Sequence, residues 1–129
     1  MEQINMPAGA YYVGDPCLII KGTPGYHWIE KLWSLFYKLD QRAALLEVDG
    51  VKIFIGQTYG GDGIYDGITV DTGTIAVIPV DNLSGDERFN FDNFAIRGTK
   101  FFTAPEPFVI TYDKGDFQIG GHLTVKTRF

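Results

Sequence analysis

Apolar and polar residues alternate in short runs along most of the 129 residues, and one stretch departs from that rhythm. Ala10-Tyr-Tyr-Val13 and Cys17-Leu-Ile-Ile20 are rich in strand-favouring residues. Gly14-Asp15-Pro16 stands between them, and Pro16 has no N–H to give a ladder, so two short strands joined by a bulge or sharp bend are predicted. The exception follows. Thr23-Pro24 reads as an N-cap and first helical residue, and Ile29, Leu32, Trp33, Phe36 and Leu39 recur at spacings of three and four. An amphipathic helix is therefore predicted at about residues 26–39, presenting Trp28 and Trp33 to a sheet or a barrel end.

Beyond the helix the two-residue rhythm returns. Ala44–Val48 and Val51–Gln57 flank Asp49-Gly50, a strong hairpin signal because a type I′ turn needs positive φ at both central residues. In the second strand Val51, Ile53 and Ile55 alternate with Lys52, Phe54 and Gly56, which predicts one buried and one partly wet face. Thr58–Gly73 holds five glycines and three aspartates without Lys or Arg, and reads as a glycine-rich loop or a strongly bent strand pair. Ile75–Val80 reads as a buried strand, Asp81–Asp92 as an acidic loop and Lys100–Thr103 as a further strand. Pro107–Tyr112 and Asp116–Gln118 flank Asp113-Lys-Gly115 as a second hairpin, and Leu123, Val125, Thr127 and Phe129 alternate along a last strand. The expected fold is mainly β (α+β): a small barrel or two-layer antiparallel β fold of seven to ten short strands with one helix, in a single domain over 1–129.

Composition narrows the classes. At 45% hydrophobic and 15% aromatic residues, large side chains can fill a core. Eleven Lys and Arg against sixteen Asp and Glu leave a net charge of −5, with no basic stripe, which argues against a nucleic-acid partner. A lone cysteine, Cys17, excludes an internal disulfide and suits a reducing cytoplasm. The first seven residues lack a basic-then-apolar leader pattern, and the apolar runs fall far short of a membrane span of about 20 residues. A soluble cytoplasmic protein is expected.

Candidate chemistry is thin. A nucleophilic Cys17 would need His27 or His122 as base, but its Leu-Ile-Ile surroundings suit a buried small hydrophobe. Asp62, Asp66 and Asp71 offer oxygen ligands without EF-hand spacing, and Asp-Gly pairs are ordinary turn formers, so neither a metal nor a cofactor is expected. Tyr59 and Tyr65 beside these aspartates would serve either as an aromatic anchor for a partner or as a stacking platform, or would pack over glycines inside the sheet. A phosphate bound here would need a cation from elsewhere, such as Arg97, Lys100 or Arg128.

Two segments together carry a resemblance. Tyr11-Tyr-Val-Gly-Asp-Pro-Cys17 ahead of a Trp-containing helix is one. Thr58-Tyr-Gly-Gly-Asp-Gly-Ile-Tyr-Asp66 with Val70-Asp-Thr-Gly-Thr-Ile75 and Ile78-Pro79 is the other. The chain resembles small bacteriophage and prophage proteins with a Gly-Asp-Pro-Cys turn and a Tyr-Gly-Asp-Gly loop. It departs from them at Leu18, where Tyr is expected, and in the doubled Gly60-Gly61. The resemblance implies no catalytic residues.

The expected function is a non-enzymatic intracellular binding protein, phage-encoded, that docks on a host defence or metabolic protein. The contact surface would be acidic and aromatic, drawn from Tyr59, Asp62, Tyr65, Asp66 and Asp71 with Arg97 and Lys100, and from the 81–92 loop. The alternatives are a protein that sequesters a small nucleotide signal and, ranked last, a small metal- or Cys-dependent hydrolase. Open strand edges leave self-association as a further option.

Overall fold

A computed structural model of the protein describes residues 2–16, 32–48, 50–79 and 98–128. Among them run eleven strands: β1 Glu2–Met6, β2 Gly9–Gly14, β3 Ala43–Val48, β4 Val51–Gln57, β5 Gly63–Tyr65, β6 Ile68–Val70, β7 Thr74–Pro79, β8 Lys100–Ala104, β9 Phe108–Asp113, β10 Asp116–Ile119 and β11 Leu123–Val125. Helix α1 covers 32–39 within the described residues. The second strand expected at Cys17–Ile20, the start of the helix at 26–31, the 81–92 loop, His27 and Arg97 lie outside the described residues.

The fold is mainly β, as the alternation implied. A five-stranded sheet has the order β3-β4-β7-β2-β8, a four-stranded sheet the order β1-β9-β10-β11, and β5-β6 form a separate hairpin. Every pairing is antiparallel. The sheets form two layers and do not close into a barrel. There is one strand more than the expected upper count. Part of the excess is β1, whose Glu-Gln-Ile-Asn-Met sequence carries little hydrophobic signal: only Met6 is fully buried.

The main core lies between the two sheets. Tyr11, Val13, Phe54, Ile75 and Val77 from the larger sheet meet Ile110, Tyr112, Phe117, Ile119 and Val125 from the smaller, with Tyr65, Ile68 and Val70 of the hairpin closing one side. A second core lies on the opposite face of the five-stranded sheet, where Leu32 and Phe36 of α1 cover Ala44, Leu46, Ile53, Ile55, Ala76 and Ile78. The five-stranded sheet is thus covered on both faces. That corrects the expectation of a half-wet β4: Ile53 and Ile55 point to α1, while Phe54 points to the smaller sheet. It also explains why β7 is buried at all six positions, since a strand covered on both sides carries a continuous apolar run.

Aromatic rings do much of the filling. Tyr11, Phe102 and Phe108 have centroids 5.3–5.5 Å apart, and His122 stacks on Phe102 at 4.8 Å. Phe117 meets Tyr112 edge-on at 5.1 Å and Phe54 at 6.0 Å. Gly56 makes room for this group, because a Cβ there would come within 2.7 Å of the Phe117 ring.

Candidate functional site

The glycine-rich segment 58–73 is an ordered excursion from the sheets, carrying the β5–β6 hairpin at its centre. Asp66 and Gly67 form its turn with φ of 50° and 85°, the conformation a two-residue type I′ loop requires. The chain then returns through Asp71-Thr72-Gly73 to β7.

Buried polar side chains tie this excursion down at both ends. At the return, the fully buried Asp15 carboxylate accepts the N–H groups of Asp71 and Thr72 at 2.7 and 2.8 Å and the Thr72 hydroxyl at 2.9 Å. Hydrogen bonds to a charged acceptor are the stronger class, and three converge on one oxygen. The Thr72 and Thr74 hydroxyls share a further bond at 2.8 Å. At the departure, Thr58 is buried and its hydroxyl donates to the Gly61 carbonyl at 2.5 Å, while its N–H donates to the Gly73 carbonyl at 2.9 Å.

The outer side is held by residues 126–128. The Tyr59 N–H donates to Thr127 Oγ1 at 2.8 Å, and that hydroxyl donates to the Gly115 carbonyl. The Lys126 N–H donates to Asp66 Oδ2 at 2.9 Å. Asp116 Oδ1 accepts the N–H groups of Thr127 and Arg128 at 3.0 Å each, and the Arg128 guanidinium returns to Asp116 at 3.2 Å. The excursion is therefore clasped between Asp15 just after β2, the β9–β10 turn and the segment after β11.

The expected contact residues separate into two groups. Tyr59 keeps 52% of its surface exposed, and Asp62 is also exposed. Tyr65 turns inward: it is 8% exposed, joins the main core, lies against Gly63, and donates its hydroxyl to the Gly61 carbonyl at 3.1 Å. It packs over glycine and offers no stacking face. Asp66 is exposed but its carboxylate caps Lys126, and the Asp71 N–H is committed to Asp15. Lys100, on β8, reaches the hairpin turn, with its ammonium 3.3 Å from where a Gly67 Cβ would stand. Among the described residues no three His, Cys, Asp or Glu side chains gather as a metal site. His122 is exposed and stacked on Phe102, and nothing among the described residues places it beside a nucleophile.

Two features went unread in the sequence. Ile64 is 71% exposed, the most open large hydrophobic residue of those described. The alternation of Ile64 with Tyr65 held the signal, because burying Tyr65 sends Ile64 outward. The local sequence marks the anchors Asp15 and Thr127 only as a bend residue and a strand residue. Their partners lie 57 and 68 positions away, beyond any local pattern.

No protein-family model, curated protein or solved structure matches the chain. Among the described residues no helix is long and apolar enough to cross a membrane.

Proposed function

We propose that the protein is a non-enzymatic binding protein that docks on another protein through the 59–66 region, with Tyr59 and Ile64 as apolar anchors and Asp62 as the flanking charge. One observation carries this reading. Buried polar side chains, Asp15, Thr58 and Thr127, hold a segment whose Tyr59 and Ile64 remain exposed. Side chains already held in place lose less freedom on association, which is how a preorganised surface gains affinity. Aromatic anchors ringed by polar residues are the usual hot-spot composition. With a net charge of −5, a partner surface bearing an apolar notch and basic residues fits best. The resemblance to phage proteins makes a bacterial host protein, met in the host cytoplasm, the partner class. A nucleotide-sequestering role has less support, because Tyr65 is spent in the core and does not pair with Tyr59 as a stacking wall.

The test places a photo-crosslinking residue at Ile64 and, as a control, at Val109, which is 41% exposed on the other sheet. A single protein adduct from Ile64 in bacterial cells, absent from Val109 and lost on Asp62→Lys, is the expected result. Equal adducts at both positions, or none at either, would overturn the reading.

A further inference from the structure

A cleft of about 370 Å³ opens where the start of β1, the α1–β3 link and the β9–β10 turn meet. Its chemistry is carried by Glu2, Asp40, Arg42, Tyr112, Asp113 and Lys114. Tyr112 is buried, and its hydroxyl is fixed on the Gln57 carbonyl at 2.6 Å. The Arg42 guanidinium lies beside that phenol and opposes the rise in its pKa that burial causes. The backbone of Arg42 is held as well, since its carbonyl accepts the Gln57 N–H at 2.7 Å.

Two corners of this cleft are unusual. Asp40 and Lys114 are non-glycine residues with φ of 51° and 52°. Asp40 stops α1 and Lys114 sits in a tight turn, positions where glycine adopts this conformation at less cost. The chain carries a charged side chain at each of them instead.

Glu2, Asp40, Arg42 and Lys114 are all exposed and line the cleft together. Among the described residues the ion pairs belong to Arg128, which reaches Asp116 at 3.2 Å and Asp113 at 3.8 Å. Among the described residues Arg42, Lys114, Glu2 and Asp40 make no ion pair within 4 Å. With Asp113 shared by Arg128, two cations and two carboxylates outside any ion pair among the described residues line one cavity. A simple anion entering it would meet the carboxylates, and a simple cation would meet Arg42 and Lys114. A small molecule with both charges at one end satisfies both sets. The volume lies at the lower end of the range for ligand clefts, which suits a molecule of amino-acid size rather than a dinucleotide.

We propose that this cleft is a binding site for a free α-amino acid. The ligand carboxylate is taken by the planar fork of Arg42, with Lys114 adding charge. The ligand ammonium, with three donors, is taken by Glu2 and Asp40. The site is separate from the docking reading and does not depend on it.

The test is calorimetric titration and thermal melting of the full chain with each of the twenty standard amino acids, their N-acetyl derivatives and their amides. At least one free amino acid binds saturably, while its acetylated and amidated forms, each lacking one charge, do not. Arg42→Gln weakens that binding by at least about tenfold, and Lys126→Gln, outside the cleft, leaves it unchanged. The melting temperature of ligand-free Arg42→Gln separates lost binding from lost folding, and Glu2→Gln gives a second variant on the opposite wall. Absence of binding by every amino acid at about 10 mM, or equal binding of the blocked forms, overturns the proposal.

Discussion

The Tyr59 N–H donates to the hydroxyl of Thr127 at 2.8 Å, joining the first residue of the proposed contact surface to one 68 positions later. The same hydroxyl donates to the Gly115 carbonyl, so one buried atom links the 58–73 segment, the β9–β10 turn and the stretch after β11. Replacing it without changing shape isolates its role. Thr127→Val leaves the Tyr59 N–H without its acceptor, at an expected cost of about 1–3 kcal/mol. Urea denaturation reads the loss, and amide exchange at Tyr59 should accelerate well beyond the global change. An unaltered exchange rate at Tyr59 would show that the link does not hold the segment.

Asp15 gathers three donors on one buried oxygen. Asp15→Ala removes all three bonds at once and should destabilise the protein by about 3–5 kcal/mol, the range for breaking a buried charged network. Asp15→Asn retains an acceptor oxygen without the charge and should fall between the two. If Asp15→Ala unfolds at the wild-type denaturant midpoint, the carboxylate is not an anchor.

Gly115 and Gly50 make a paired comparison. Both have positive φ, 102° and 82°. A Cβ on Gly115 would lie 2.6 Å from the Tyr59 nitrogen and 2.7 Å from Thr127 Oγ1, whereas one on Gly50 would meet nothing within 4 Å. Gly50→Ala should cost only the conformational strain, about 1 kcal/mol. Gly115→Ala adds a collision with backbone and should cost at least about 3 kcal/mol, with the crosslinking yield at Ile64 falling in step. Equal melting temperatures for the two variants would contradict this packing.

The Tyr112 phenol is pushed above its usual value of 10.0, first by burial, with Arg42 acting against the shift and Glu2 adding to it. The folded state thus holds this proton more tightly than the unfolded chain. The stability it contributes is complete below pH 10 and is lost as the pH climbs through the raised folded value. Denaturant midpoints measured from pH 8 upward should fall more steeply above pH 10 for the wild type than for Tyr112→Phe. Parallel slopes would remove Tyr112 as the source.

Much of the architecture was legible in local pattern. Asp-Gly between two apolar runs signalled the hairpin in which β3 pairs with β4, and Asp-Lys-Gly the hairpin in which β9 pairs with β10. The spacing of Leu32 and Phe36 identified the helical face that covers the sheet. β1 was not readable, because a mostly exposed edge strand needs few apolar residues. Nor was the double coverage of β4, because Phe54 is buried by a sheet whose strands come mainly from the last third of the chain.

The 58–73 segment shows the same division. The sequence by itself determined that 58–73 would turn tightly and carry aspartates, since glycine and aspartate set backbone conformation locally. Only the tertiary structure decided that Tyr65 turns in while Tyr59 and Ile64 stay out, that Asp66 caps Lys126, and that Arg42 meets Tyr112 across a cleft. Each of those outcomes depends on a partner tens of residues away, and burial and charge pairing are properties of the assembled neighbours rather than of any one stretch of chain.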